Sequence, residues 1–512
     1  MLTTSCRYLA AFSTVLLVAG CGLLPSAGEG GTDQDSGESG KGDTNSSAAD
    51  SVLPMTVEPT SLGEDTRLDI LSLEHADNDT TILKFQVTND RDEEVSIHSP
   101  LSDGNGDSLS VSGFALVDVE AKKQYLPIRY EKDKTHRPRP CYCSMYEEFG
   151  DPKRIEPGQT MDFWAGYPAL PDGVDTVSVV NPITGVVHDI PVTDGGAPPE
   201  PLRDDHLEPE VVDLFAVRED LEDGSTREET GEQVSVALAS DVLFDVDKAT
   251  LRSDAEKALK EVAEEISASG TDLVKIDGHT DNTGSDSHNL PLSETRAETV
   301  QDKLDELVTR SGIRYETEGH GSREPVADNT TDEGKQKNRR VTITFDAAPA
   351  TDEKASAGDQ QSSPTPEAES VEHGPAPIAE GKETRYFKDL TVAVESVQRS
   401  SSGGFTGLRY RVINHANEDS TVLAGRFNSY VHCGSMRDGQ LNDIALVDEQ
   451  DQTRYTVVRR SDEKCLASKG SGVTVPPNES LTLWLAFWLD PTVNEVTVQI
   501  PGFEAITNVP VA

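Results

Sequence analysis

The chain has 512 residues, 92 of them acidic and 45 basic, for a formal charge of −47. Its length suits two to four domains, but only 35% of residues are hydrophobic and 5% aromatic, so part of it is expected in linkers that bury too little apolar surface to fold. An acidic balance of this size argues against nucleic-acid binding, which draws on Lys and Arg, and against adhesion to anionic lipid by charge.

Residues 1–20 read as a secretory signal: Arg7 supplies a cation, and an apolar run follows from Tyr8 to Gly20. The run is too short to span a bilayer, which needs about 20 apolar residues. Its end, Leu17-Val-Ala-Gly-Cys21, resembles a bacterial lipobox. That resemblance implies cleavage before Cys21, acylation (palmitate) of Cys21, and attachment to a lipid bilayer. The alternative is an ordinary signal peptide with an incidental cysteine. Residues 21–53 are rich in Gly, Ser, Asp and Thr and read as a tether, averaging roughly 30 Å end to end. Export places the remaining cysteines in an oxidising compartment. A Cys433–Cys465 disulfide is expected, whereas Cys141 and Cys143 can close on each other, pair with another chain or stay reduced. No matching Cys or His pair lies near them at ligand spacing, so neither a metal site nor a cofactor is assigned.

Segments 54–195 and 383–512 resemble each other. Leu83-Lys-Phe-Gln-Val-Thr-Asn89 matches Leu408-Arg-Tyr-Arg-Val-Ile-Asn414, and Ala115-Leu-Val-Asp118 matches Ala445-Leu-Val-Asp448. Pro157 precedes Trp164 as Pro477 precedes Trp484. This pattern predicts a diverged duplication of an immunoglobulin-like β-sandwich, with both Trp residues in the core. Stretch 196–230, with Pro198-Pro-Glu-Pro, reads as a linker whose Val211–Val217 run docks on a neighbour, and 347–382 as a disordered linker.

Segment 231–346 has the order β-α-β-α-β-β, an α+β fold with helices packed on one face of a mixed sheet. Strands are expected at Val234–Ala239, Leu273–Ile276, Arg314–Glu318 and Arg340–Phe345. One helix carries Ala255, Ala258, Leu259, Val262, Ala263 and Ile266 on its apolar face, and a second runs from Ser293 to about Arg310. Arg296 then falls in the first turn of that helix, where the dipole disfavours a cation. Glu294, Glu298 or an anionic ligand would offset it. Asp281 closes the preceding strand. A carboxylate and a guanidinium on two sides of one pocket suit a zwitterion, Asp281 receiving an ammonium and Arg296 forking onto a carboxylate. A plain Asp281–Arg296 salt bridge fits the spacing equally.

Gly278-His-Thr-Asp-Asn-Thr-Gly284, Asn289, Leu292-Ser-Glu-Thr-Arg-Ala297, Gly319-His-Gly-Ser322 and Asn338-Arg-Arg-Val341 together resemble the OmpA C-terminal domain family, over 236–345. The resemblance implies non-covalent binding of peptidoglycan through the diaminopimelate of the stem peptide, with Asp281 and Arg296 as the binding pair and Asn289 as the motif asparagine. Thr283, Gly284 and the Phe244–Asp247 loop are expected to line the pocket, with backbone N–H groups near 282–284 as donors. Arg339 and Arg340 read as braces, and His279 and His320 as structural. No HExxH helix or GxSxG elbow is present, and Asp103-Gly-Asn-Gly-Asp107 departs from a calcium loop, so no enzyme is expected. The reading is a lipoprotein tying membrane to wall, at a cell membrane or an outer membrane. The alternative is an adaptor whose sandwiches capture a protein partner.

Overall fold

The computed structural model describes residues 53–348 and 378–512, apart from 104–109, 131–140, 145–153, 203–206, 383–388, 422–443, 469–473 and a few positions between. The signal peptide, Cys21, nearly all of the tether and Cys433 lie outside the described residues.

Alternation builds the first segment. In Thr80–Asn89, Leu83, Phe85 and Val87 are buried, while Lys84 and Gln86 between them are partly exposed. This strand pairs antiparallel with Thr66–Ala76 and Gln159–Pro168, and Met55–Val57 extends the sheet. A second antiparallel set runs Gly185–Pro191, Thr176–Asn181, Ala115–Asp118, Lys123–Tyr130. Between the two sets, Phe85 stacks on Phe114 and Phe163 with centroids 4.0 and 5.4 Å away, amid buried Leu116, Tyr167 and Val179.

Residues 379–512 repeat this strand order. Ala379–Lys382, Leu390–Arg399, Phe405–Asn414 and Ser480–Trp488 form one sheet; Thr453–Thr456, Ala445–Asp448, Glu495–Gln499 and Ile506–Pro510 pair in turn in the other. Trp164 pairs with Lys84 and Trp484 with Arg409, equivalent places in the matching motifs. Neither indole joins the main core of its own sandwich. Trp164 meets Tyr142 edge-on at 5.0 Å, and Trp484 is buried between the sandwiches with Val180, Leu214 and Phe405. Cys141 and Cys143 are joined to each other across Tyr142. Cys465 is disulfide-bonded.

Two stretches read as linkers contain strands. Ala379–Lys382 is an edge strand on Leu390–Arg399. Leu207–Asp220 pairs antiparallel with Lys123–Tyr130, then Arg459–Arg460, then Thr453–Thr456. Its far end also pairs with Thr226–Glu229, which pairs with the first strand of the central segment. One strand therefore stitches both sandwiches to the central fold. Its alternation explains this: Val212 and Leu214 are buried, 7% and 0% exposed, on the inward face. The nearby prolines and acids mask that pattern in composition.

The central segment comprises β1 (Gln233–Ala239), α1 (Ser240–Leu243), α2 (Ala255–Ala268), β2 (Leu273–His279), α3 (Asp286–Leu307), β3 (Arg314–Gly321), α4 (Asp332–Asn338) and β4 (Arg340–Asp346). Its sheet order is β1-β4-β2-β3, with β2 and β3 parallel and β4 antiparallel to both its neighbours. α3 lies directly on two glycines. A Cβ at Gly278 would sit 2.0 Å from the Ser293 carbonyl oxygen, and one at Gly319 2.4 Å from the Glu294 nitrogen. Ala297, Val300 and Leu304 then pack against Val274 and Ile276.

Two features differ from expectation. α3 starts at Asp286 rather than Ser293, with Pro291 inside it. Its first turn is polar, so apolar periodicity does not reveal it, and a proline there resembles a lead-in. Arg296 therefore sits mid-helix, where the end dipole does not act on it. α4, Asp-Glu-Gly-Lys-Gln-Lys-Asn, has no apolar residue to signal it.

Leu214→Ala is expected to destabilise the chain by about 2–5 kcal/mol, whereas Val211→Ala, at a residue 42% exposed, should stay within about 0.5 kcal/mol. Urea unfolding followed by Trp fluorescence reads both. Equal midpoints would contradict the stitching role.

Candidate functional site

β2 delivers its last residues to a shaped loop. Thr280 N–H donates to the Gly321 carbonyl at 2.9 Å, and the chain then turns at Asp281. The Asp281 Oδ1 accepts from Thr283 N–H at 2.7 Å, an Asx-type turn. Gly284 follows with φ +96°, a left-handed value that favours glycine. Asn289, in the first turn of α3, clips this loop from below: its Nδ2 donates to the carbonyls of Thr283 at 3.1 Å and Asp281 at 3.4 Å. Asp281 and Asn289 are buried, while Thr283 and Gly284 lie exposed beside them.

The alternative, a plain Asp281–Arg296 salt bridge, is absent among the described residues. Asp281 is held instead by Arg339, whose Nη1 donates to Oδ2 at 2.8 Å. The same guanidinium forks onto Asp241, Nε at 3.1 Å and Nη2 at 2.6 Å. Arg339 is aimed by its neighbour Asn338, which is fully buried and accepts from the Val326 and Ala327 N–H groups at 2.8 and 2.9 Å. Arg296 takes a separate course. Its Nε donates to the Lys248 carbonyl at 2.9 Å, and the guanidinium lies 5.2 Å from the Phe244 ring. Its terminal amino groups have no hydrogen-bond partner among the described residues.

The electrostatics follow from this layout. Burial acts to raise the Asp281 pKa, but the hydrogen bonds from Arg339 and Thr283 and the Arg339 charge outweigh it and hold the carboxyl below its ordinary value. Burial lowers the Arg296 pKa, against the attraction of Asp241, Asp247 and Asp281, while the Arg339 charge adds to the lowering. The Arg339 pKa is raised, first by its bond to Asp241. Arg296 and Asp281 thus feel each other without pairing, and a ligand carrying both charge signs can be met by both.

Of the residues expected to bind, Asp281, Thr283, Gly284 and Asn289 form one loop unit, and Arg296 lies within electrostatic reach of it. Asn289 faces the loop's own carbonyls, so its visible role is to shape the site. The backbone donors expected near 282–284 are partly engaged: Thr283 N–H serves Asp281, and Asn282 N–H donates to Asn329 Oδ1 at 3.2 Å. Phe244 is buried under Arg296, whereas Val246, two residues on, is 86% exposed. Sequence reasoning missed Asp241 as the second anchor of Arg339. The bond from Arg339 to Asp281 joins residues 58 apart, with no local pattern to announce it.

A depressed carboxyl pKa stabilises the folded chain fully above the unfolded value and loses that contribution as pH falls through the folded one. A carbon-13 carboxyl titration is expected to place the Asp281 midpoint below 3.8, leaving the loop unchanged between about pH 5 and 8. A midpoint at or above the ordinary value would contradict the Arg339 clamp.

Residues 243–339 match the sequence profile of the OmpA family. The outer-membrane lipoprotein YfiB of Pseudomonas aeruginosa is 39% identical over 106 residues, 21% of this chain and 62% of that protein. The peptidoglycan-binding protein ArfA of Mycobacterium tuberculosis is 40% identical over 112 residues, 22% of this chain and 33% of that protein. The solved cell wall anchor of the T6SS from Pseudomonas aeruginosa is 31% identical, covering 24% of this chain and 87% of that one, with a TM-score of 0.22. The chain spans about a third to three fifths of the length of these two curated relatives. On the family match the segment that carries Asp281 and Arg296 is a domain of the OmpA family, occupying residues 243–339 of the 512.

Proposed function

We propose that the chain binds peptidoglycan non-covalently, reading the charged tip of a diaminopimelate-type stem peptide with Asp281 and Arg296. One observation carries the reading: Asp281 is oriented by Arg339, while among the described residues the terminal amino groups of Arg296 are committed to no protein acceptor. A carboxylate engaged once on each oxygen can still accept an ammonium. The fork of Arg296 offers parallel N–H donors to a ligand carboxylate. The ammonium and carboxylate at one stereocentre of diaminopimelate supply one partner of each sign for this pair. ArfA is named for binding peptidoglycan, which supports the same reading here.

In this proposal a lipid on Cys21 holds the chain at a membrane, and the 21–53 tether lets the domain reach the wall. Two acyl chains hold stably at about 0.8 kcal/mol per buried CH₂, where a single chain binds marginally. The flanking segments are read as immunoglobulin-like sandwiches. The shared strand Leu207–Asp220 fixes them to the wall-binding domain, so wall binding would also set where they stand. Several charge-assisted hydrogen bonds, each about 1.5–3 kcal/mol, must outweigh the ordering of the ligand.

Arg296→Lys keeps the charge and removes the fork; it is expected to weaken pull-down by diaminopimelate-type wall at least about tenfold. Arg296→Ala should abolish it, with the circular dichroism spectrum of the chain retained. Lysine-type wall, which lacks the second carboxylate, should be retained poorly by the unsubstituted chain. Pull-down unchanged by Arg296→Ala would overturn the assignment.

A further inference from the structure

The helix-free face of the central sheet carries a second cluster that the wall-binding reading leaves unused. α3 covers Gly278, so alternation turns Asp277 and His279 to the opposite face. β2 and β3 run parallel with Asp277 beside Glu318 and His279 beside Gly321, which brings His320 next to them. The imidazoles of His279 and His320 lie with centroids 4.9 Å apart.

His279 is 3% exposed, and its Nδ1 is buried with no hydrogen-bond partner among the described residues. A buried imidazole left unsatisfied is unfavourable, and a bound ligand removes the deficit. His320 has both nitrogens engaged. Its Nε2 lies 3.2 Å from Asp277 Oδ1, and its Nδ1 lies 3.4 Å from Glu324 Oε1. A carboxylate on one nitrogen of an imidazole orients the other towards a metal. Donor atoms of His279, His320 and Glu324 all lie within 4.8 Å of one another.

We propose that His279, His320 and Glu324 hold a divalent transition-metal ion, with Asp277 as the positioning residue on His320. Two imidazole nitrogens and one carboxylate oxygen form a donor set suited to zinc, with a fourth position left for water. Ligand bonds of about 2.0–2.2 Å draw the donors closer together than they stand. Rotation of the exposed Glu324 side chain and of the two rings supplies that movement. Arg340 is the cation beside the cluster, and its guanidinium is turned to the Glu324 carbonyl at 3.4 Å, so the carboxylate remains directed at His320. The ion would tie the C-terminal ends of β2 and β3 together, directly ahead of Asp281.

The test is titration of the chelator-stripped full chain with zinc chloride by calorimetry, with cobalt(II) absorption as the report of geometry. One zinc per chain with micromolar or tighter affinity is expected, together with an intense visible cobalt spectrum of a tetrahedral site. Glu324→Gln, at a side chain 59% exposed, leaves the fold intact and should weaken zinc at least about tenfold, as should His320→Ala. Lys275→Ala, on the same face, should change nothing. Zinc binding only near millimolar concentration, or binding equal in both variants and the parent chain, would overturn the proposal.

Discussion

The arrangement depends on one division of partners among four charges. Arg339 takes Asp281 and Asp241 together, so Asp281 does not collapse onto Arg296. A direct Asp281–Arg296 pair would satisfy both groups and leave little to recognise a ligand. The observed division instead presents a carboxylate and a guanidinium fixed by other contacts. Preorganised groups of this kind bind without first breaking a pair of their own. The glycines beneath α3 are part of the same device. Gly278 and Gly319 let the helix backbone touch the sheet, which sets how far Arg296 stands from the end of β2.

The second consequence concerns the whole chain. A chain whose segments were joined by flexible linkers would hold its OmpA-family domain as a free unit. Leu207–Asp220 removes that freedom by pairing with strands of both sandwiches while its partner hairpin strand continues into β1. Ion pairs flank the joint: Lys122 with Glu229, Arg218 with Asp490, and Arg459 with Glu228. Part-exposed pairs of this type add little stability individually. They do fix register, and the buried Leu214 and Trp484 contribute the apolar contact.

Legibility in the sequence followed how local each signal was. The apolar face of α2 and the alternating strands were visible because periodicity within a few residues encodes them. The matching Lys84–Trp164 and Arg409–Trp484 pairs follow from motifs that recur at fixed spacing. The motif singles out Asp281 and Arg296, but the end-dipole argument for Arg296 does not hold, because a polar first turn and Pro291 hide the start of α3. The strand at 207–220 carried its alternation openly, yet prolines and acids around it suggested a linker. The Arg339 bond to Asp281, and the meeting of His279 with His320, arise only when strands take their register. No window along the chain contains them.

The most direct measurement is a structure of the full chain bound to a diaminopimelate-containing stem peptide. The account predicts the ligand ammonium on an Asp281 carboxylate oxygen, its carboxylate on the terminal nitrogens of Arg296, and Arg339 still clamped between Asp241 and Asp281. A peptide bound on another surface, or an Arg339 that leaves Asp281 to bind the ligand alone, would contradict it.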